Sequence, residues 1–214
     1  ILDIIFAFIA LIVLLPLLLP IIIILLLTGE HEVFYRQKRV GRYGKDFYIW
    51  KFVTMVKNSP NMGTGEITLR NDPRVTKVGR FLRSTKINEL PQLLNVLTGD
   101  MSFVGPRPLM KVSYDLYTAE QQKEIYSSRP GITGIGSLIF RDEEKLLSKA
   151  EDPRKMYNTI YPYKASLEVW YRRKASFRVD FLILLITFLE LFKPSGNLIQ
   201  KAFPDMPKRP DFGV

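Results

Sequence analysis

Two shortages in the composition exclude several kinds of site. The chain contains no cysteine, so it can form neither disulfide bonds nor thiolate metal centres, which fits a protein on the cytoplasmic side of a membrane. It has one histidine, His31, from which neither a Ser-His-Asp triad nor a histidine metal cluster can be built. No internal repeat, P-loop or dinucleotide-binding fingerprint occurs. These absences leave the charged and apolar patterns to indicate the function.

Negative charge is also scarce. Lys and Arg number 31 against 21 Asp and Glu, and the net charge of +10 favours anionic partners such as phosphorylated substrates, anionic lipid or nucleic acid. A length of 214 residues suggests one domain with appendages. The 47% of hydrophobic residues suffices for a core, but these residues concentrate at 4–27 and 181–192.

The first apolar run, residues 4–27, contains no charge and exceeds the length of about 20 residues that a helix needs to cross a membrane. Pro16 and Pro20 each remove a backbone N–H, so we expect a sharp kink. Composition alone leaves a kinked transmembrane helix and a re-entrant hairpin open. A cleavable signal peptide is not expected, because no small-residue cleavage site is present. The chain begins at Ile1 and not at Met, so we expect further residues upstream.

Basic residues follow the first apolar run and indicate that this end lies on the cytoplasmic side. Residues 33–40 and 47–52 predict two short strands, joined by a turn at 41–44. The mixture of aromatic and basic residues at 163–180 suits a membrane interface with anionic head groups. The run at 181–192 is too short to cross and is expected to lie buried or at the interface. A mobile loop is expected at 57–70, and helices at 112–127 and 141–162.

Residues 83–108 carry the strongest local signal. Pro91 suits a first helical position, the apolar residues after it recur at helical spacing, and Gly99 supplies the stop. We therefore expect Asn88 and Glu89 at or just before a helix N-terminus, where free N–H groups and the helix dipole favour anions. A carboxylate, a metal ion and a phosphate could all meet in such a place.

Several cationic residues are candidates for phosphate contacts. Arg80 and Arg83 stand one helical turn apart and can share a helix face, although a pair of surface arginines explains the spacing equally well. Arg107 stands between two prolines, which restrict where its guanidinium points, as diphosphate recognition requires. Taken alone, a tight structural turn explains that segment better. Lys51 lies within an aromatic run and is a further candidate.

The same residues carry a resemblance to a known family. The segment RSTKINELPQLLNVLTGDMSFVGPRP at 83–108 resembles the signature of the bacterial sugar transferase family, the monotopic phosphoglycosyl transferases. Three other segments resemble family motifs in the same order: FYRQKRVGRYG at 34–44, NDPRVT at 71–76 and RPGITG at 129–134. One departure falls at the centre of the signature, because Asn88 stands where the family has the Asp of an Asp-Glu pair. Further departures are Leu19, Val53 and the residues from Ile135 onward.

The resemblance implies an α+β fold, mainly helical and membrane-associated, with a small β-hairpin and interfacial amphipathic helices. It implies a re-entrant membrane helix-break-helix at residues 1–28, a cytoplasmic catalytic domain at 29–193 and a C-terminal tail at 194–214. The implied reaction transfers a sugar 1-phosphate from a UDP-sugar to polyprenyl (undecaprenyl) phosphate and releases UMP, with Mg²⁺. Such a protein is expected on the inner membrane of a bacterium, in contact with anionic lipid head groups and not with nucleic acid.

The resemblance also assigns roles to residues. Asn88 and Glu89 occupy the catalytic positions, and Glu89 is the expected metal ligand. The expected substrate-binding residues are Lys51, Arg80, Arg83, Pro106, Arg107, Pro108 and Arg129. In the family the Asp of the pair attacks the β-phosphate, whereas the neutral amide of Asn88 is a poor nucleophile and a weak metal ligand.

Three explanations of Asn88 are open. The chain is an engineered variant that traps a substrate state, a natural variant that uses Glu89 or direct attack by the lipid phosphate, or an inactive relative that binds without transferring. An alternative from another class is a membrane-surface protein that binds lipid or a nucleotide sugar. The sequence identifies neither the sugar nor the oligomeric state.

Overall fold

Helices dominate the secondary structure of this computed structural model, which describes residues 1–62, 68–69, 71–192 and 198–212. Within those ranges the α-helices are α1 (Leu2–Leu27), α2 (Lys77–Ser84), α3 (Leu93–Leu97), α4 (Lys111–Tyr114), α5 (Ala119–Ile125), α6 (Ile135–Ile139), α7 (Glu143–Leu147), α8 (Pro153–Lys174), α9 (Phe177–Phe192) and α10 (Leu198–Ala202). Short 3₁₀ helices occur at Arg42–Gly44, Ser59–Asn61 and Ile87–Gln92. The strands are β1 (Phe34–Val40), β2 (Asp46–Phe52), β3 (Ser102–Val104) and β4 (Gly131–Thr133).

The fold class predicted from the sequence is confirmed at the level of a mixed, helix-rich protein with a small β-hairpin and one N-terminal apolar helix. β1 and β2 form the predicted hairpin, and the 3₁₀ turn between them places Tyr43 in the left-handed region with φ of 59°. Part of the predicted loop at 57–70 and the predicted domain boundary at 193/194 lie outside the described residues. The other predicted domain limits stay predictions.

Helix α1 runs without interruption through Pro16 and Pro20, so the secondary structure does not include the predicted break. Its length and composition allow it to cross a membrane, and only 17% of its most apolar 18-residue window is buried. Apart from Ala7, its buried residues lie in the C-terminal half, where Leu18, Ile21 and Leu25 pack in one apolar cluster. The N-terminal half presents mostly exposed apolar side chains.

Contacts divide the chain into two units, and the first comprises residues 1–38 and 48–101. Its apolar cluster joins the C-terminal half of α1 to Phe52 of β2 and Leu82 of α2. The Thr76 hydroxyl caps α2 by accepting a hydrogen bond from the Gly79 N–H, with an N···O distance of 2.9 Å. A Cβ atom on Gly79 would lie 2.1 Å from the Thr54 carbonyl oxygen, so only glycine lets α2 approach this backbone.

The second unit comprises residues 39–47 and 102–214. Its core packs α8 and α9 with α6, α10 and the short parallel pair formed by β3 and β4. In that pair Ser102 aligns with Gly131 and Val104 with Thr133.

Three helix boundaries differ from the sequence prediction. The helix expected at 112–127 is two helices, because Thr118 starts α5 with a capping box to Gln121. The charged insert expected at 141–162 contains α7 and the start of α8, which continues to Lys174. The helix that contains the apolar run at 181–192 begins before that run, since α9 starts at Phe177. In each case a helix cap or a longer packed helix sets the boundary at a different residue from the change in composition.

A buried ion pair supports the first unit beneath its surface loops. The Arg74 Nη2 atom lies 2.6 Å from Asp72 Oδ2, and both side chains are at most 4% exposed. Arg74 Nη1 also donates to the carbonyl oxygens of Ser59 and Met62, each at 2.9 Å. The hydrogen bond from Arg74 holds the pKa of Asp72 below its ordinary value.

We expect Asp72→Ala to lower the free energy of unfolding by about 3–5 kcal/mol, because it leaves the Arg74 guanidinium buried without a counter-charge. Chemical denaturation in detergent at pH 7 measures the change. The stabilisation is complete above the pKa of an unfolded Asp and is lost as the pH falls through the lowered pKa. Asp115→Ala is the control, since its pair with Lys111 is exposed to solvent and should contribute little. Equal losses in both variants would contradict the expectation.

Candidate functional site

The segment that carries Asn88 and Glu89 is a tight 3₁₀ helix rather than the start of an α-helix. After α2 ends, Lys86 takes a left-handed conformation with φ of 60°, which turns the chain into Ile87–Gln92. Asn88 and Glu89 lie in the first turn of this 3₁₀ helix, and Pro91 lies inside it. The prediction that Pro91 takes the first helical position is therefore wrong, because helical geometry begins before it and the α-helix begins after it, at Leu93.

Glu89 is held by a lysine from the hairpin. The Lys51 Nζ atom on β2 lies 2.7 Å from Glu89 Oε1, and the two side chains are 17% and 22% exposed. At this partial burial the pair is screened less than a surface ion pair. Two of the predicted site residues, distant in sequence, are thus in direct contact.

Asn88, the residue before Glu89, has a side-chain oxygen without a hydrogen-bond partner among the described residues. The residue is 7% exposed. Its Oδ1 atom is buried and accepts no hydrogen bond from the described residues. A buried oxygen of this kind costs about 1–3 kcal/mol when nothing bonds it. The Asn88 Oδ1 atom is therefore suited to accept a hydrogen bond from a ligand or to contact a cation.

Arg80 and Arg83 lie on α2, the helix that precedes the 3₁₀ segment of Asn88 and Glu89. α2 packs against the 3₁₀ helix that carries Asn88 and Glu89. Arg80 is exposed and Arg83 is half-buried, one helical turn apart as the spacing predicted. The first unit therefore holds Lys51, Arg80, Arg83, Asn88 and Glu89.

The other predicted substrate-binding residues lie in the second unit, around the Gly-Pro-Arg-Pro turn at 105–108. A Cβ atom on Gly105 would lie 2.5 Å from the Arg129 carbonyl oxygen, so glycine brings the backbones of the turn and of Arg129 together. The Arg107 side chain is exposed, and Arg129 is half-buried. The flanking Pro106 and Pro108 are buried.

Sequence reasoning missed one charged residue near this turn. Glu168 of α8 is 3% exposed, and the backbone N–H of Arg107 donates a hydrogen bond to its carboxylate. Burial raises the pKa of Glu168 to about 7, although the hydrogen bond from Arg107 opposes that shift. A sequence signal was present, since Glu168 is a lone acid between Leu167 and Tyr171, which both face the core.

Protein ligands for a metal ion are few. Within the part of the chain that the structure describes, no three Asp, Glu or His side chains form a group that could hold a metal. Mg²⁺ commonly takes only one or two protein carboxylates and completes its shell with water and substrate phosphates. The Glu89 carboxylate is a ligand of that kind, and the unpartnered Asn88 Oδ1 is a weaker oxygen donor next to it in the sequence, so these residues fit an ion held mainly by Glu89.

Comparison with known proteins defines the class of this fold and site. The bacterial sugar transferase family matches residues 1–194. The chain belongs to that family and is an enzyme of the sugar transferase class, as the motifs predicted.

Particular relatives follow. The chain is 38% identical over 164 residues to the uncharacterized sugar transferase EpsL of Bacillus subtilis, a match that covers 77% of this chain and 72% of EpsL. It is 39% identical over 200 residues to the UDP-glucose:undecaprenyl-phosphate glucose-1-phosphate transferase of Escherichia coli, covering 91% of this chain and 39% of that protein. It is 35% identical over 170 residues to a UDP-N-acetylgalactosamine-undecaprenyl-phosphate N-acetylgalactosaminephosphotransferase of Aeromonas hydrophila, covering 78% of this chain. The chain spans 39% of the length of each of these last two relatives.

The raised pKa of Glu168 predicts a pH-dependent stability. The unfolded chain loses this proton near the ordinary value of 4.5, whereas the folded chain keeps it until about pH 7. The free energy of unfolding therefore falls as the pH rises through this interval, by up to about 3 kcal/mol from this group.

We expect Glu168→Gln to remove this contribution, so that the variant gains stability relative to the parent chain between pH 4.5 and 7. Denaturation across that range measures the difference. The exposed Glu151→Gln serves as the control. Parallel curves for Glu168→Gln and the parent chain would refute the assignment.

Proposed function

We propose that the chain transfers a sugar 1-phosphate from a UDP-sugar to polyprenyl phosphate, as undecaprenyl phosphate, and releases UMP. Family membership and the printed reactions of the Escherichia coli and Aeromonas hydrophila relatives support this proposal. The observation that carries it is the contact of Lys51 with Glu89 of the family signature, where the preceding residue, Asn88, has a buried Oδ1 without a hydrogen-bond partner among the described residues. The reaction would be an early membrane step of polysaccharide or glycoconjugate synthesis.

Each of the two units carries cationic residues that suit phosphate oxygens. Arg80 and Arg83 supply positive charge on one face of α2, next to the segment of Glu89. Arg107 extends an exposed guanidinium from a rigid turn, and such a group can bind phosphate oxygens in a bidentate manner. Lys51 fixes the Glu89 carboxylate, so this acid has a defined place before substrate binds. We propose that Glu89, with Asn88 Oδ1, would hold Mg²⁺, which supplies charge stabilisation to the phosphate oxygens.

Asn88 determines which chemical route the chain can follow. With an Asp at this position, the carboxylate oxygen forms a bond to the β-phosphorus while the bond to the bridging oxygen breaks and UMP leaves with the electron pair. A phosphate oxygen of the lipid then attacks the phosphorus and releases the carboxylate. Asn88 carries no negative charge for the first step. Direct attack by the lipid phosphate on the β-phosphorus, with UMP leaving, requires no covalent bond to residue 88.

The same residue favours a second candidate, a family member that binds the nucleotide sugar and lipid without transferring the sugar phosphate. A neutral amide at the position of the nucleophile is the specific observation in its favour. The chain keeps Glu89 and the basic residues that the resemblance assigns to substrate binding.

We expect UMP release to be weak or absent in the chain as it stands, and Asn88→Asp to raise it at least about tenfold. The assay uses undecaprenyl phosphate, Mg²⁺ and a panel of UDP-glucose, UDP-galactose and UDP-N-acetylgalactosamine. Asn58→Asp, an exposed amide-to-acid change, is the matched control. Full activity with Asn88 that persists after Glu89→Gln would overturn the family route. Saturable stabilisation by a UDP-sugar without UMP release in either chain would favour the binding protein.

We also propose that α1 is a re-entrant anchor in the cytoplasmic leaflet of the inner membrane. From Leu11 onward, α1 carries side chains that pack on the apolar cluster of the first unit. Residues 2–10 of α1 are not part of that cluster, and most of their apolar side chains are exposed. Both prolines lie in the packed part, where a bend of the helix would redirect residues 2–10.

Helix α9 supports membrane contact from the second unit. Phe177, Phe181 and Phe188 are 82%, 56% and 58% exposed, and they follow one another at helical spacing on a single face. The last turn of α8 is basic, with Arg172, Arg173 and Lys174. An apolar face next to cationic residues suits the interface of an anionic membrane.

Because the chain contains no cysteine, single cysteines can report the topology of α1. We expect Asp3→Cys and Glu30→Cys both to react with a membrane-impermeant maleimide from the cytoplasmic face of inverted vesicles. Glu120→Cys, exposed on α5, is the control for reaction on that face. Reaction of Glu30→Cys alone, with Asp3→Cys labelled only from the opposite face, would show a spanning helix.

A further inference from the structure

The Gly-Pro-Arg-Pro turn has one backbone donor at its centre. Pro106 and Pro108 carry no N–H, so the N–H of Arg107 is the single donor of this tripeptide. Its acceptor is the carboxylate of Glu168 on α8. The position of the Arg107 backbone N–H therefore depends on the Glu168 carboxylate.

The carbonyl groups of Pro106, Arg107 and Pro108 each accept a hydrogen bond from another part of the second unit. Gly131 N–H donates to Pro106 O at 2.9 Å, and the Tyr126 hydroxyl donates to Arg107 O at 2.9 Å. Arg39 Nη1 donates to Pro108 O at 3.3 Å. Together with Glu168, these contacts fix the backbone on every side, while the Arg107 side chain itself is exposed.

A buried carboxylate is a costly acceptor for one N–H. Glu168 is 3% exposed, and its Oε2 atom has no hydrogen-bond partner among the described residues. Burying a charge of this kind is unfavourable unless other interactions offset it. A Cβ atom on Gly136 would lie 2.5 Å from Glu168 Oε1, so α6 leaves room for this side chain by using glycine. The negative charge strengthens the bond to Arg107 beyond what a neutral acceptor provides.

The charge of Glu168 acts on a defined set of neighbours. Arg107 and Lys164 both favour its ionised form. The tyrosine hydroxyls that interact with it electrostatically belong to Tyr117 between α4 and α5, to Tyr126 directly after α5 and to Tyr171 of α8.

We propose that Glu168 is a positioning residue for the donor substrate. Its carboxylate fixes the turn at 105–108 through the Arg107 N–H, and so holds the Arg107 guanidinium where it meets the diphosphate. The proposal rests on the proposed function, because Arg107 must contact a nucleoside diphosphate for the position of the turn to matter.

The experiment measures amide exchange and ligand binding in the full chain in detergent. Glu168→Leu removes the acceptor and keeps a buried side chain of similar size, whereas Glu168→Gln keeps an acceptor oxygen without the charge. Glu190→Gln is the control, since it alters another buried carboxylate of the second unit, which pairs with Arg141. Hydrogen exchange reports the Arg107 amide, and calorimetry with UDP and Mg²⁺ reports the Kd at pH 6 and pH 8.

In Glu168→Leu we expect exchange of the Arg107 amide to accelerate and the Kd for UDP to rise at least about tenfold, with neither change in Glu190→Gln. In Glu168→Gln the amide stays protected, and the part of the pH dependence of Kd that comes from ionisation of Glu168 disappears. If Glu168→Leu does not fold, the result with Glu168→Gln decides.

The outcomes separate the two proposals. A parent chain that binds no UDP overturns the proposed function, and amide exchange still reports the hydrogen bond. A parent chain that binds UDP, with Kd and exchange unchanged in Glu168→Leu, overturns the positioning role alone. An unaltered pH dependence in Glu168→Gln also overturns it.

Discussion

The contact between Lys51 and Glu89 is the interaction on which the candidate site of the first unit depends. It joins a strand of the hairpin to a 3₁₀ helix that has too few residues to fix its own position. Asn95 makes a second connection between the same regions, because its side chain bonds the backbone of Tyr48 and of Trp50. The segment of Asn88 is thus tied to β2 at Glu89 by an ion pair, and the helix α3 that follows it is tied to β2 at Asn95 by an amide.

The second unit fixes its turn in a different way. Proline removes donors from the backbone at 105–108, so every remaining polar group of the turn needs a specific partner. Those partners come from β4, α5, the hairpin end and α8. The family signature therefore records only half of the arrangement, since the residues that hold the turn lie in other parts of the chain.

Local patterns predicted the elements whose cause is local. The hairpin follows from alternation and a glycine turn, and α1 follows from an uncharged apolar run. The motif placed Asn88 and Glu89 at a helix start, but the left-handed Lys86 and the 3₁₀ geometry were not readable from composition. Sequence reasoning missed Glu168 because its carboxylate accepts a hydrogen bond from the backbone of Arg107, which is distant in the sequence, and no spacing rule connects these two residues. The roles of the site residues stay predictions.

The packing of α1 bears on how this protein can be handled. Leu18, Ile21 and Leu25 belong to the same apolar cluster as Phe52 and Leu82, so α1 forms part of the core of the first unit. Removing α1 to obtain a water-soluble fragment would expose the apolar side chains of this cluster and favour aggregation. α1 and the rest of this core therefore support each other, and loss of α1 is expected to destabilise the first unit.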